Sequence, residues 1–397
     1  MPAAEMPKNI KTGLEFIERQ WPKSLLNSRI GLLVHPASVN KSLDHAVDIC
    51  LKSKKFRIKA LFGPQHGLYG ETQDNMIEWE GFPDRKTGIQ VYSLYGKARR
   101  PKPDMLKNID VMVVDLQDIG ARYYTFIWTL ALVMDACQDL NKTLIVLDRP
   151  NPVGGHILEG PVLRPEYKSF VGLHPLPVRH GMTIGEIAIY LKDFFYKKLD
   201  LHIIRIKEWE RKIWFDKTGL PWVLPSPNMP TIDTAIVYPG MCLLEGTNLS
   251  EGRGTTRPFE IFGAPFIDPN TLIKRLKRFG LLGVVFRPLY FLPTFQKYAG
   301  RLCGGAQIHV IDREKYKPFK TAVAVLKAIH DLYPKHFSWK EPPYEYEEVL
   351  LPIDILAGTD RLRKYIEEGT ELKEMEAWWN DELNEFDKKT RRKYLLY

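Results

Sequence analysis

The chain has 397 residues, 44% hydrophobic and 26% charged, the balance of a soluble globular protein, and its length makes two domains the expectation. Its net charge of +9 is dispersed apart from short runs at 97–100 and 388–393. No nucleic-acid module pattern appears, so no nucleic-acid partner is expected; a basic protein with an anionic small substrate fits the charge as well as one that binds nucleic acid, so charge alone decides little.

In chain order, residues 11–27 read as a helix carrying Leu14, Ile17, Leu25 and Leu26 among charges. RIGLLVHPAS follows as a buried strand ending at His35, then a helix over 44–53, then a second strand, IKALFGPQHG. The third strand, IQVYSLYG, ends on Tyr95, and the fourth, DVMVVDLQDIGARYYT, runs straight into Asp118, Arg122 and Tyr123. A helix over 125–140 leads to TLIVLDRPNPVGG, the fifth strand, closing on Asp148, Arg149 and Asn151. After a long connection and a helix over 183–196, LHIIRI supplies a sixth strand. Continuously apolar strands alternating with helices predict a parallel sheet covered on both faces. A ligand site then belongs beyond the carboxyl ends of the strands. No G-x-G-x-x-G follows the first strand, which argues against a dinucleotide.

From about Trp222 the texture changes to Pro, Gly, Thr and Asn, with an apolar segment read as a strand ahead of LLEGTNLSEGRGTTRPFE. Helices are expected at 271–279, 318–332, 359–368 and 371–391, and strands in VVFRPLYF and AQIHVID. The expected architecture is a Rossmann-like, mostly parallel α/β domain over 1–221 followed by a smaller α+β domain over 222–397, with a cleft between them.

Polar groups concentrate at loops. The stretch after the second strand gathers Gln65, His66, Tyr69, Glu71, Gln73, Asp74 and Asn75 around Gly67 and Gly70. PVRHGMTIGE makes Thr183 and Glu186 a capping box and leaves Arg179 and His180 to meet a ligand. SPNMP offers Ser226 and Asn228 between prolines, a polar turn or an interdomain hinge. Glu245, Asn248, Glu251 and Arg253 crowd a glycine-rich loop that structure alone does not require. Signatures of serine nucleophiles, phosphate loops and H-E-x-x-H are missing. Cys50, Cys137, Cys242 and Cys303 form no CxxC pair, and the histidines are scattered, so neither metal nor cofactor is expected. The first residues lack the apolar core of an export signal and no run reaches membrane-spanning length, which predicts a cytoplasmic protein with no membrane partner unless translation starts upstream. Carboxylates, amides, Arg, His and Tyr without a metal match glycoside hydrolysis, and equally a carbohydrate-binding protein.

The strings FGPQHG, SLYG, DLQDIGARYYT, LDRPNPVGG, EGPVL, PVRHGMTIGE, SPNMPT, YPG, LLEGTNLSEGRGTTRPFE, CGGAQIHV and YLLY, in this order, resemble the exo-β-N-acetylmuramidase family (NamZ/YbbC type) over nearly the whole chain. The resemblance implies a Rossmann-like domain holding the active site and release of terminal N-acetylmuramic acid from the non-reducing end of peptidoglycan fragments. The lactyl carboxylate of that sugar would give Arg122, Arg179 or Arg253 a bidentate partner. The family commonly carries Glu at the position of Gln65, in P-E-H-G, and a glutamine cannot transfer that proton. Glu71 is therefore the expected acid, with Asp118 or Glu251 as second carboxyl. Gln65, His66, Arg122, Tyr123, Asn151, His180, Asn228, Glu245, Asn248 and Arg253 are expected to position the sugar. The competing expectation is a sugar-binding or sensor protein that lost its acid with Gln65.

Overall fold

A computed structural model describes residues 9–74 and 76–397; Asn75, named above in the opening loop, lies outside the described residues. The larger sheet contains β1 (Ser28–Val34), β2 (Phe56–Gly63), β3 (Phe82–Pro83), β4 (Gln90–Ser93), β5 (Val111–Asp115), β6 (Thr143–Leu147) and, after an intervening hairpin, β9 (Leu201–Ile204). Its order is β3-β4-β2-β1-β5-β6-β9. All pairings are parallel except the short edge strand β3 against β4. Every residue of β5, and all of β1 but Arg29, is buried, the pattern of strands packed on both faces. Helices Phe126–Asp139 and Ile184–Phe194 pack on each other and on β6.

The hairpin β7 (Glu159–Val162) and β8 (Pro177–Arg179) occupies the long connection that carried no predicted element. The later part of the chain forms a three-stranded antiparallel sheet, β10 (Ile261–Ala264), β12 (Cys303–Val310) and β11 (Val284–Phe291), in that spatial order. The mostly parallel sheet followed by a smaller antiparallel unit is the expected fold class. One continuous hydrophobic core runs through both parts. Among the described residues, no helix is long and apolar enough to cross a membrane.

Two local expectations are corrected, and one helix is added to those expected. Residues 11–27 are not one helix: a short helix, Ile17–Gln20, sits between 3-10 turns at Gly13–Phe16 and Lys23–Leu25, because Pro22 cannot donate within a continuing helix. The apolar segment before Glu245 is not a strand but helix Ile232–Met241, running into a 3-10 turn at Cys242–Gly246. From Thr234 onward every residue of that helix is buried, so it has no polar face to give a helical period, and periodicity alone does not separate it from a buried strand. The helix expected at 359–368 is Arg361–Glu367, and another, Pro352–Ala357, precedes it across Gly358.

The final residues return to the first sheet. Tyr397 donates its hydroxyl to Asp148 Oδ2 (2.7 Å), just beyond β6, and accepts from the Ile206 backbone N–H (2.8 Å), just beyond β9. Arg391 donates to the carbonyls of Gly155 and Gly181.

Candidate active site

A cavity at the carboxyl ends of β2 and β4 is lined by Gln65, His66, Tyr123, Glu245, Arg253 and Glu345, with Tyr124, Thr125, Ser226, Asn228, Tyr238, Phe259 and Tyr344 among the other residues of its wall. The opening loop enters it directly from β2. His66 adopts a positive φ of 71°, and its Nδ1 lies 2.7 Å from the Thr72 carbonyl. A carbonyl only accepts, so Nδ1 carries the proton and Nε2 is left as an acceptor. Burial pushes the His66 pKa down to about 4, which keeps the ring neutral at physiological pH.

Gln65 is oriented by Thr125, at the start of helix Phe126–Asp139, whose hydroxyl donates to Gln65 Oε1 (2.7 Å). The amide nitrogen then faces outward and donates to Glu345 Oε1 at 3.3 Å. Tyr95, two residues past β4, donates to Glu345 Oε2 at 2.9 Å. Glu345 is only 4% exposed. Desolvation is the dominant influence on its carboxyl and the nearby Glu245 adds to it, against the hydrogen bonds from Tyr95 and Gln65, so its pKa is raised to about 7. The sequence reading passed over this residue. It lies in EPPYEYEE, which looks like an acidic surface turn; the two prolines followed by alternating aromatics were the available signal of a rigid, buried one.

On the adjoining wall, Arg253 Nη2 donates to Glu245 Oε1 (2.7 Å), and Tyr344 donates to Glu245 Oε2 (2.7 Å). Glu251 lies 3.5 Å from Arg253 Nε and 3.0 Å from Lys297 Nζ. Burial would raise the Glu251 pKa, but the two cations outweigh it and hold the carboxyl below its usual range. The same carboxylates raise the Arg253 pKa against the effect of its own burial. Arg253 Nε and Nη1 have no hydrogen-bond partner among the described residues. Both nitrogens face carboxylates at ion-pair distance, Glu251 3.5 Å from Nε and Asp74 4.0 Å from Nη1, so a ligand anion on this wall would take N–H groups that are charge-paired but not hydrogen-bonded.

Other expected residues are not brought here. Glu71 is exposed and accepts from the Tyr69 N–H (3.2 Å), folding back over Gly67 rather than reaching the cavity. Arg122 is fully buried and directs its Nη1 and Nη2 donors to the carbonyls of Pro161, Leu176 and Leu356. Arg179 pairs with Glu159 (3.2 Å) and the Val153 carbonyl. Asn151 ties its own loop through Met182 and Val153, and Asn248 ties the chain at His336 and Ser338. Asp118 and His180 are buried together, Oδ2 to Nε2 at 3.2 Å, away from the cavity lining. Glu251 stands behind Arg253 rather than on the wall. Tyr123 lines the cavity but donates its hydroxyl to the Pro239 carbonyl (2.5 Å). Asn228 lines it while donating to the Gln73 carbonyl (2.8 Å), which joins the SPNMP turn to the opening loop. Gln65, His66, Tyr123, Asn228, Glu245 and Arg253 thus meet at one cavity, and the remaining expected residues frame it or lie apart. Among the described residues, no group of three or more His, Cys, Asp or Glu is placed to hold a metal ion.

Comparison with known proteins matches both portions of the chain. Residues 30–233 fit the family described as exo-beta-N-acetylmuramidase NamZ, N-terminal, and residues 236–397 its C-terminal counterpart. A curated relative, the peptidoglycan beta-N-acetylmuramidase NamZ of Bacillus subtilis (strain 168), is 47% identical over 394 residues, covering 99% of this chain and 92% of the relative. Two crystal structures of DUF1343 family proteins from Bacteroides fragilis NCTC 9343 share the fold. The first has a TM-score of 0.87 at 34% identity and the second 0.76 at 29%, each covering 98% of this chain and 99% of the other. With both family halves matched in order and nearly every residue aligned to a curated member, the chain belongs to the exo-β-N-acetylmuramidase NamZ family.

Proposed function

We propose that this protein is a glycoside hydrolase that releases terminal N-acetylmuramic acid from the non-reducing end of peptidoglycan fragments. The observation that carries the reading is the 47% identity, over almost the full length of both chains, to a protein named as a peptidoglycan beta-N-acetylmuramidase. The cavity supports it chemically. It sets two buried carboxyls on one wall system, Glu345 with a raised pKa and Glu245 hydrogen-bonded by Arg253 and Tyr344, and glycosidic cleavage uses a pair of carboxyls. Of the three arginines considered as partners for the lactyl carboxylate, Arg253 is the one that lines the cavity, while Arg122 and Arg179 are engaged elsewhere with internal carbonyls and Glu159. A neutral His66 with Nε2 as acceptor suits a sugar hydroxyl.

The test is incubation of the purified protein with N-acetylmuramic acid–β-1,4–N-acetylglucosamine and with a chromogenic muramic-acid glycoside. Free N-acetylmuramic acid is the expected product of both. Binding of the disaccharide without turnover of either compound refutes the reading and makes the protein a sugar-binding one.

A further inference from the structure

Resting on the hydrolase reading, we infer that Glu345 is the proton donor of the cleavage, carried into the cavity by the 344–347 turn to the place where Gln65 offers only an amide. The two side chains address the same point. Glu345 Oε1 is 3.3 Å from Gln65 Nε2, so an acid on the turn reaches what an acid at position 65 would reach. The other cavity carboxylate does not compete: Glu245 is bound by Arg253 and Tyr344. Glu251 is bound by Lys297 and Arg253 and kept ionised, and Glu71 lies outside the cavity.

The backbone points the same way. Tyr344 and Glu347 pair through both N–H···O bonds at 2.9 Å. The two residues between them, Glu345 and Tyr346, have φ of 47° and 67°. A two-residue turn with both central residues at positive φ ordinarily takes Asn and Gly. A glutamate and a tyrosine persist there only if the surroundings over-determine them, a condition characteristic of functional sites. Those surroundings are present. The Tyr346 ring packs edge-on against Tyr95 (5.6 Å) and Phe170 (6.1 Å), with the Arg99 guanidinium 4.0 Å from its centre, and Tyr344 is moored on Glu245. Both neighbours are anchored so that the carboxyl between them is aimed.

In the step itself, the bond from C1 to the glycosidic oxygen breaks with its electron pair going to oxygen. That oxygen takes the Glu345 proton and leaves as the aglycone hydroxyl, while Glu345 becomes a carboxylate. Water adds its oxygen to C1, and the proton it gives up restores the acid form of Glu345. The titratable and charged groups facing Glu345 are Tyr95, Tyr344, Tyr346, Glu245, Arg253, His66 and Lys340. Burial together with Glu245 holds Glu345 protonated until pH nears about 7, so turnover falls as pH rises through that value.

The experiment is Glu345→Gln in the full chain, assayed on the disaccharide and on a 4-nitrophenyl muramic-acid glycoside, with disaccharide binding and thermal melting followed in parallel. General-acid loss predicts a fall in kcat of about 10²-fold or more on the disaccharide with KM little changed. On the nitrophenyl glycoside, whose leaving group needs no proton, the fall should be about tenfold or less. Disaccharide turnover kept within about tenfold, or equal losses on both substrates with binding intact, overturns the assignment. Should the amide variant fail to fold, Glu345→Asp serves. It is expected to slow the disaccharide far more than the nitrophenyl glycoside, and equal rates on both overturn the inference. If the unaltered protein turns over neither substrate, the hydrolase reading itself fails, and this assignment with it.

Discussion

Gln65→Glu is the perturbation whose size follows most directly from the geometry. It places a second carboxyl against Glu345, at the 3.3 Å now spanned by an amide hydrogen bond. If both were ionised, their repulsion at an effective dielectric of 20 would be about 5 kcal/mol, so the pair holds one shared proton across the neutral range, as closely spaced carboxyl dyads do. Thr125 already donates to the side chain at position 65 and serves a carboxylate equally well, which leaves Glu345 as the group that keeps the proton. Glu345 titrates near 7 in the unaltered protein; with the added charge, the basic limb of the pH profile of kcat/KM moves upward by at least about one pH unit. Stability gives an independent readout. A carboxyl whose folded pKa is raised above its unfolded value stabilises fully below the unfolded pKa, and that contribution is lost as pH rises through the folded one. The variant therefore loses about 1–3 kcal/mol more than the parent between pH 5 and pH 9, measured by denaturant unfolding at each pH. An unmoved basic limb together with an unchanged pH dependence of unfolding would refute the shared-proton geometry.

Arg253→Lys keeps the charge but loses the planar set of donors, so KM for a muramoyl glycoside rises about 10- to 100-fold, while a glucosaminyl glycoside lacking the lactyl group is little affected; steady-state kinetics on the pair decides it. Tyr397→Phe removes a donor from Asp148 and an acceptor from the Ile206 N–H, at a cost of about 1–3 kcal/mol in chemical denaturation. Burial has already pushed the Asp148 pKa up to about 7. Loss of the Tyr397 donor raises it further, so the destabilisation is greater at pH 8 than at pH 5. Gly120→Ala introduces a Cβ at φ 81°, 2.5 Å from both Asn151 Oδ1 and Val153 Cγ2, and lowers stability by at least about 2 kcal/mol in the same assay.

The parallel sheet was legible because its strands are apolar along their whole length, and burial on both faces leaves that mark in the residues themselves. The site segments were legible for a related reason: Gln65 and His66 past β2, and Glu245 and Arg253 after the buried helix, are too polar and too crowded by glycines for plain connections. Helix Ile232–Met241 was hidden because a helix buried all round has no polar stripe. The roles of the arginines were hidden more deeply. Arg122 and Arg253 look alike in sequence, and only packing reveals that the first meets three carbonyls away from the cavity while the second lines it. Glu345 lies 280 residues from Gln65 along the chain, so no local pattern could join them. Glu71, closer in sequence, was the tempting substitute, but it stays exposed with its carboxylate folded back onto the Tyr69 N–H.

The clasp made by Tyr397 has a consequence for the order in which the protein can be made. Its hydroxyl closes the ends of two strands that emerge from the ribosome 191 and 249 residues earlier. Until that residue is synthesised, Asp148 lacks one of its donors and the edge beside β9 lacks its acceptor. The helix Leu372–Lys389, which packs across β7, is missing as well. The first half made alone is thus a sheet whose end lacks partners supplied some two hundred residues later in the chain. Contacts of such sequence separation slow folding. They also bind the two portions into one cooperative unit, so a cut between residues 233 and 236 should release two aggregation-prone fragments rather than two independent domains.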